Sequence, residues 1–180
     1  SPDALGLIDQ YGADGVRVGM LLSSAAGNDL LFDEKLCEQG RNFSTKIWNA
    51  FRLVKNWEIV DEPASQKNTL AKEWFEARYN QVLVEVEDHF SKFRLSDALM
   101  FGQPIDKETY VTTIDFFEKL MKVVHPYMPF ISEEIWQTIE QREDKDYLIV
   151  TEWPEAKGFD QEMISAAEKS FELISNIRNI

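Results

Sequence analysis

From Asp33 to Trp57 the chain reads DEKLCEQGRNFSTKIWNAFRLVKNW, and apolar residues return at every third or fourth position. Leu36, Gly40, Phe43, Ile47, Ala50, Phe51, Val54 and Trp57 carry that pattern. At about 100° per residue this spacing collects them on one side of an α-helix and fits no strand. Asp33 is a good N-cap, and Glu34 follows in the first turn, where the helix dipole favours a negative charge. A helix with so continuous an apolar stripe needs other helices to cover it. The side away from the stripe is unusual. Arg41, Thr45, Trp48, Asn49, Arg52, Lys55 and Asn56 project there with no acidic residue among them. A large aromatic between two arginines suits base stacking and phosphate pairing. The same face equally fits a helix buried on two sides, with Trp48 against a neighbour and the arginines solvated.

Glycine (8) and proline (6) are scarce in the 180 residues, and 44% are apolar, which favours helices with a sizeable core over a turn-rich β architecture. The net charge of −13 argues against a protein that coats nucleic acid indiscriminately, yet leaves room for a local basic face. One cysteine (Cys37) and two histidines give neither a disulfide framework nor a metal-ligand cluster. A reduced, cytoplasmic setting without membrane or metal partners is the simplest expectation. The chain starts on Ser rather than Met and has no stop signal at Ile180, so a fragment is expected.

In chain order, Ser1-Pro2-Asp3 predicts a helix start with Ser1 as cap, ended by Gly12. Ala13–Ala26 predicts a second helix, in which Gly15 and Gly19 weaken it or admit another element. Gly27-Asn28-Asp29 reads as a turn. Thr69–Phe93 predicts a long helix with Ala71, Phe75, Tyr79, Val82, Val86 and Phe90 inward. Its carboxylates Glu85, Glu87 and Asp88 read as a solvated face, and His89 as a surface residue. A helix starting at Ser96 is broken by Phe101-Gly102-Gln103-Pro104. Asp106 caps a further helix with Tyr110, Ile114, Phe117, Leu120 and Val124 inward, ended near His125 by Pro126. Ser132 then caps another, with Glu133 and Glu134 in its first turn; capping and dipole explain that pair better than catalysis. Tyr147–Trp153 is β-prone. After Asp160 a last helix carries Ile164, Ala167, Phe171, Ile174 and Ile177. The predicted class is all-α, an antiparallel helical bundle with a short helical lead-in. No catalytic constellation, phosphate loop or metal motif stands out.

Three stretches resemble one family. YGADGVRVGML (Tyr11–Leu21) followed by GNDLLFD (Gly27–Asp33) is similar to the segment just after the catalytic domain of the aminoacyl-tRNA synthetases for branched aliphatic amino acids. GRNFSTKIWNAFRLV (Gly40–Val54) resembles the first long helix of their anticodon-binding domain, and HPYMPFISEEIW (His125–Trp136) a helix-turn-helix signature within it. Asn42-Phe43 with Lys46, Trp48, Asn49 and Ala50, after Gly-Asn-Asp, is most similar to the valyl branch. The family's two nucleotide-handling signatures, His-Ile-Gly-His and Lys-Met-Ser-Lys-Ser, are absent. The resemblance therefore implies a non-catalytic part of a valine–tRNA ligase, needing no cofactor of its own, while ATP is used by catalytic and editing domains elsewhere in the enzyme. Its partner would be a valine-accepting tRNA. On the helix face, Arg41, Arg52 and Lys55 are the expected phosphate or base contacts, Trp48 the stacking platform, and Asn42 and Asn49 the readers of base edges. Lys46 lies nearer the flank of the stripe, where it could instead face a neighbouring helix. Residues 1–32 would form a stem-contact or linker segment and 33–180 the anticodon-binding bundle.

Two other readings stay open here: the matching domain of an isoleucyl enzyme, and an acidic helical scaffold for protein interactions. Gathering of the few basic residues on one face separates an RNA binder from a scaffold. RLSDALM also starts a helix that nothing continues, whereas in the resembling family an aromatic-rich helix of on the order of twenty residues follows. Chain is therefore expected to be missing between Met100 and Phe101.

Overall fold

The computed structural model describes residues 3–23, 32–85 and 105–178. The expected all-α character holds across them. The helices are α1 (Ala4–Ser23), α2 (Glu34–Lys55), α3 (Gln66–Glu85), α4 (Lys107–Val124), α5 (Pro129–Ile139) and α6 (Gln161–Arg178). One two-residue parallel pairing, β1 (Ile59–Val60) with β2 (Ile105–Asp106), and a 3-10 turn at Leu148–Val150 complete the regular structure described. The chain divides into two compact units, Ser1–Lys55 with Phe117–Trp153, and Asn56–Phe116 with Pro154–Ile180.

In the first unit α1 and α2 meet along a glycine seam. A Cβ on Gly19 would stand 2.8 Å from the Cys37 backbone nitrogen, and one on Gly40 would stand 2.9 Å from the Gly15 carbonyl oxygen. The helices therefore touch backbone to backbone, the close approach that Gly15 and Gly19 allow. This contact rotates the stripe of α2 slightly from the expected one. Cys37, off the predicted stripe, is fully buried with Gly40, Ile47, Ala50, Phe51 and Val54, whereas Leu36 and Phe43 are half-buried. Asp33 caps α2 as expected, its Oδ1 accepting the Lys35 N–H at 2.9 Å.

Gly12 interrupts α1 where the sequence predicts an end, with φ 74° and ψ 159°. The two predicted helices thus form one kinked run, because glycine adopts that conformation without a side-chain clash. At the start of α1 Asp3 Oδ1 accepts the Leu5 N–H at 3.1 Å, and the expectation for Ser1 lies outside the described residues.

Helix α5 corrects a second cap. Ser132 does not open it; Ser132 is fully buried inside α5 and donates to the Met128 carbonyl at 2.7 Å. Pro129 begins the helix instead, its missing N–H costing nothing at that position. Glu133 and Glu134 consequently lie beyond the first turn. Glu133 ties down the following loop, accepting the Leu148 N–H at 2.9 Å and the Gln137 amide at 2.8 Å. The β-prone stretch forms the 3-10 turn rather than a strand, with Leu148 buried as its peg.

In the second unit Ser65 caps α3, earlier than the predicted start, through its Oγ and the Asn68 N–H at 3.2 Å. Tyr79 and Val82 are buried as expected, beside Ala77, Asn80 and Leu83; Ala71 is exposed, since the apolar face only begins beyond it. Phe75 stacks on Phe116 with ring centroids 4.3 Å apart. Asp106 caps α4 as predicted and is buried, accepting the Thr109 N–H (2.9 Å), the Thr109 hydroxyl (2.8 Å) and the Asn68 amide (2.7 Å). Burial raises its pKa, but the Thr109 and Asn68 hydrogen bonds outweigh that and leave it below the usual carboxylate value. The expectations for Gly27–Asp29, Val86, Glu87–Phe90, the helix from Ser96 and the Met100–Phe101 join lie outside the described residues.

Candidate nucleic-acid interface

The outer face of α2 is where the sequence placed a binding surface, and it is open to solvent. Arg41, Asn42, Asn49, Arg52 and Lys55 are exposed, and Trp48 is half-buried. Lys46 is exposed as well rather than turned against a neighbouring helix. With a rise of 1.5 Å per residue, Arg41 and Lys55 stand about 21 Å apart along the axis, room for several nucleotides. The apolar side of the same helix fixes this presentation. Trp48 leans on Phe51 at 5.9 Å between centroids, and Phe51 meets Phe117 edge-on at 5.7 Å. One part of the indole is thereby anchored while the rest faces out.

Two of the cations are also tied into the first unit. Arg41 donates to the Gln10 carbonyl at 3.3 Å, lies 5.7 Å over the Tyr11 ring and is 4.0 Å from Glu38. Lys55 Nζ donates to the Thr138 carbonyl at 2.9 Å, near the C-terminal end of α5 where the helix dipole favours a cation. The bonds to neutral carbonyls orient each cation without cancelling its charge, and the Arg41–Glu38 pair at 4.0 Å is exposed and weak, so both side chains keep donors for a phosphate.

Next to Arg41 a groove of about 540 Å³ opens at the kink of α1, lined among others by Tyr11, Asp14, Ser44, Phe130 and Glu134. Its wall is built by Asp14, a buried carboxylate that accepts the Ile131 and Phe130 N–H groups at 2.7 and 3.2 Å. A residue of α1 thus caps α5. Burial pushes the Asp14 carboxyl up; the two N–H bonds pull it back only in part. Sequence reasoning passed over Asp14 and Tyr11. The available signal for Asp14 was an acid directly before the close-packing Gly15, on a helix face otherwise turned inward. Ahead of α5, His125 Nδ1 lies 2.8 Å from Ser132 Oγ, and burial lowers the His125 pKa.

Comparison with known proteins follows the same lines. The sequence profile of the anticodon-binding domain of tRNA ligases matches residues 72–180, more than half of the chain. The chain belongs to this family. The α2 face precedes the matched span, but full-length relatives cover it. Proteins named valine–tRNA ligase align with every residue of this anticodon-binding domain chain: 48% identity in Christiangramia forsetii, 47% in Phocaeicola vulgatus and 45% in Parabacteroides distasonis. The chain spans about a quarter of their length, 23% in each case. The first alignment runs over 204 positions against the 180 residues given, so that relative carries residues with no counterpart in this sequence. No helix among the described residues is long and apolar enough to cross a membrane.

Proposed function

We propose that this domain holds a valine-accepting tRNA by its anticodon and stem, positioning it for aminoacylation by the catalytic part of a valine–tRNA ligase. The observation that carries the reading is the alignment of the whole chain with relatives of that name. The exposed α2 face supports it with suitable chemistry. Arg41, Arg52 and Lys55 supply the phosphate contacts, Trp48 offers a ring for an unstacked base, and Asn42 and Asn49 read base edges. The net charge of −13 disfavours nucleic acid on surfaces without such a run of cations. ATP and the amino acid are handled by the remainder of the enzyme.

Retention of cellular tRNA by the full-length protein, followed by sequencing, tests the assignment: valine isoacceptors should dominate the bound fraction. Enrichment of isoleucine isoacceptors, or none at all, would overturn it. Trp48→Ala in that protein should weaken cognate tRNA binding by about 1–3 kcal/mol, the range for a lost base–aromatic stack.

A further inference from the structure

The surface between α5 and the 3-10 turn has a chemistry unlike that of the outer α2 face. Glu133 binds the Leu148 N–H, while Trp136 Nε1 and Gln137 Nε2 both donate to the Asp146 carbonyl at 3.2 and 2.9 Å. The turn is therefore pinned at several points, with Leu148 inserted as a peg at 2% exposure. Its next two residues point the other way: Ile149 is 74% and Val150 71% exposed. Ile149 joins Phe130 (66%) and Tyr147 (47%) around a groove of about 450 Å³. A rigid backbone that presents a cluster of apolar side chains to water is characteristic of an interaction site.

The charge around the groove selects the partner. Residues 129–153 carry seven carboxylates and two cations. One of those cations, Arg142, is already shared by Glu118, Glu140 and Asp146 at 2.5, 3.0 and 3.4 Å. Glu133 and Glu134 line the groove itself. His125 also lines it, held by a 2.8 Å hydrogen bond between its Nδ1 and Ser132 Oγ. Carboxylates around an apolar floor repel a phosphate backbone and suit a Lys or Arg side chain among apolar neighbours.

We propose that this groove docks a basic, apolar protein segment, supplied by the same polypeptide outside these 180 residues. The inference rests on the reading of the chain as one domain of a longer ligase, and adds a second surface that binds protein where α2 binds tRNA. The test places the photo-crosslinker p-benzoylphenylalanine at Ile149 in the full-length protein, irradiated with and without tRNA. The expected product is an intramolecular link to a segment beyond these residues that contains Lys or Arg. Its yield should fall about two- to fivefold in Glu134→Gln, the effect of losing one exposed ion pair, and again at about 0.5 M salt. A link to RNA, a linked dimer, a link to an acidic segment or no product would each overturn the proposal. Filter binding of tRNA on the same samples keeps the two readings apart. Retained tRNA without the link removes the docking surface alone, and failure of the unmodified protein to retain tRNA removes the functional assignment.

Discussion

Replacing Gly19 by alanine puts one methyl group where α1 and α2 leave no room for it. The new Cβ would sit 2.4 Å from Cys37 Sγ, 2.8 Å from Cys37 N and 3.0 Å from Cys37 Cα. Two of those three atoms are backbone, so a side-chain rotation cannot absorb the clash and the helices must separate by roughly 0.5–1 Å. A gap of that size forfeits a quarter to a half of each contact across the seam, about 2–3 kcal/mol over a few tens of atom pairs. Alanine returns about 1 kcal/mol through its higher helix propensity. The net loss should be about 1–2 kcal/mol. Cys37 is the chain's single cysteine and is fully buried, so its reaction with an aromatic disulfide reagent reports opening of this seam. Burial also holds its thiol pKa up, keeping the closed state unreactive. The reaction in Gly19→Ala should run about 5–30 times faster than in the parent. Gly6→Ala is the control, because its Cβ would meet only the Asp3 carboxylate, with Oδ2 at 3.2 Å. It should leave the rate unchanged or slow it. Equal rates in all three proteins would refute the backbone-to-backbone seam.

Asp14→Ala strips two N–H partners from the start of α5 and should cost about 1–2 kcal/mol, read as a lower urea midpoint. The pH dependence of Asp14 has a definite sign. Its folded pKa is raised by burial, so its contribution is fully present below the unfolded value of 3.8 and lost as pH rises through the folded pKa. Asp14→Asn should lack that gain on acidification in urea midpoints measured across this window. Asp106 behaves oppositely: its folded pKa is depressed, so its stabilisation is present above 3.8 and lost as pH falls through the folded pKa. Asp106→Asn should flatten the acid limb of the unfolding profile. Arg41→Ala and Arg52→Ala should each reduce the salt slope of tRNA binding by about 1, measured by filter binding across an ionic-strength series. Unchanged slopes in both would remove the α2 face from the recognition surface.

Helix α2 was legible because its signals agree: a cap at Asp33, an unbroken 3.6-residue period and a face free of acids all specify one helix in one orientation. Asp106 was legible for the same local reason. Ser132 was misread because a serine followed by two glutamates has the composition of a helix start. What decides its place is the nearby His125, which hydrogen-bonds its hydroxyl, and the distant Asp14 carboxylate that occupies the true start of α5. No local pattern encodes a cap donated from 117 positions away. The docking turn was hidden similarly. Ile149 and Val150 are strand formers by propensity, and the described residues offer them no strand to pair with. The candidate RNA face was readable to the level of which side chains share it. That Arg41 leans on Tyr11 and Lys55 on the end of α5 needed the packing.

The route of the chain through the first unit has a consequence for its synthesis. That unit is assembled from Ser1–Lys55 and Phe117–Trp153, so its N-terminal helix pair emerges from the ribosome well before the helix that covers it. At 5–20 residues per second, the interval between Lys55 and the end of α5 lasts on the order of 5–20 s. Through that time α1 and α2 can close on their glycine seam, which needs only local contacts, while Ile47, Phe51 and Val54 wait for part of their cover. Asp14 meanwhile stays hydrated, deferring the cost of its burial until the N–H groups of Phe130 and Ile131 arrive. A ribosome stalled soon after α2 should therefore carry a formed but sticky hairpin, a natural client for a chaperone that recognises apolar helix faces.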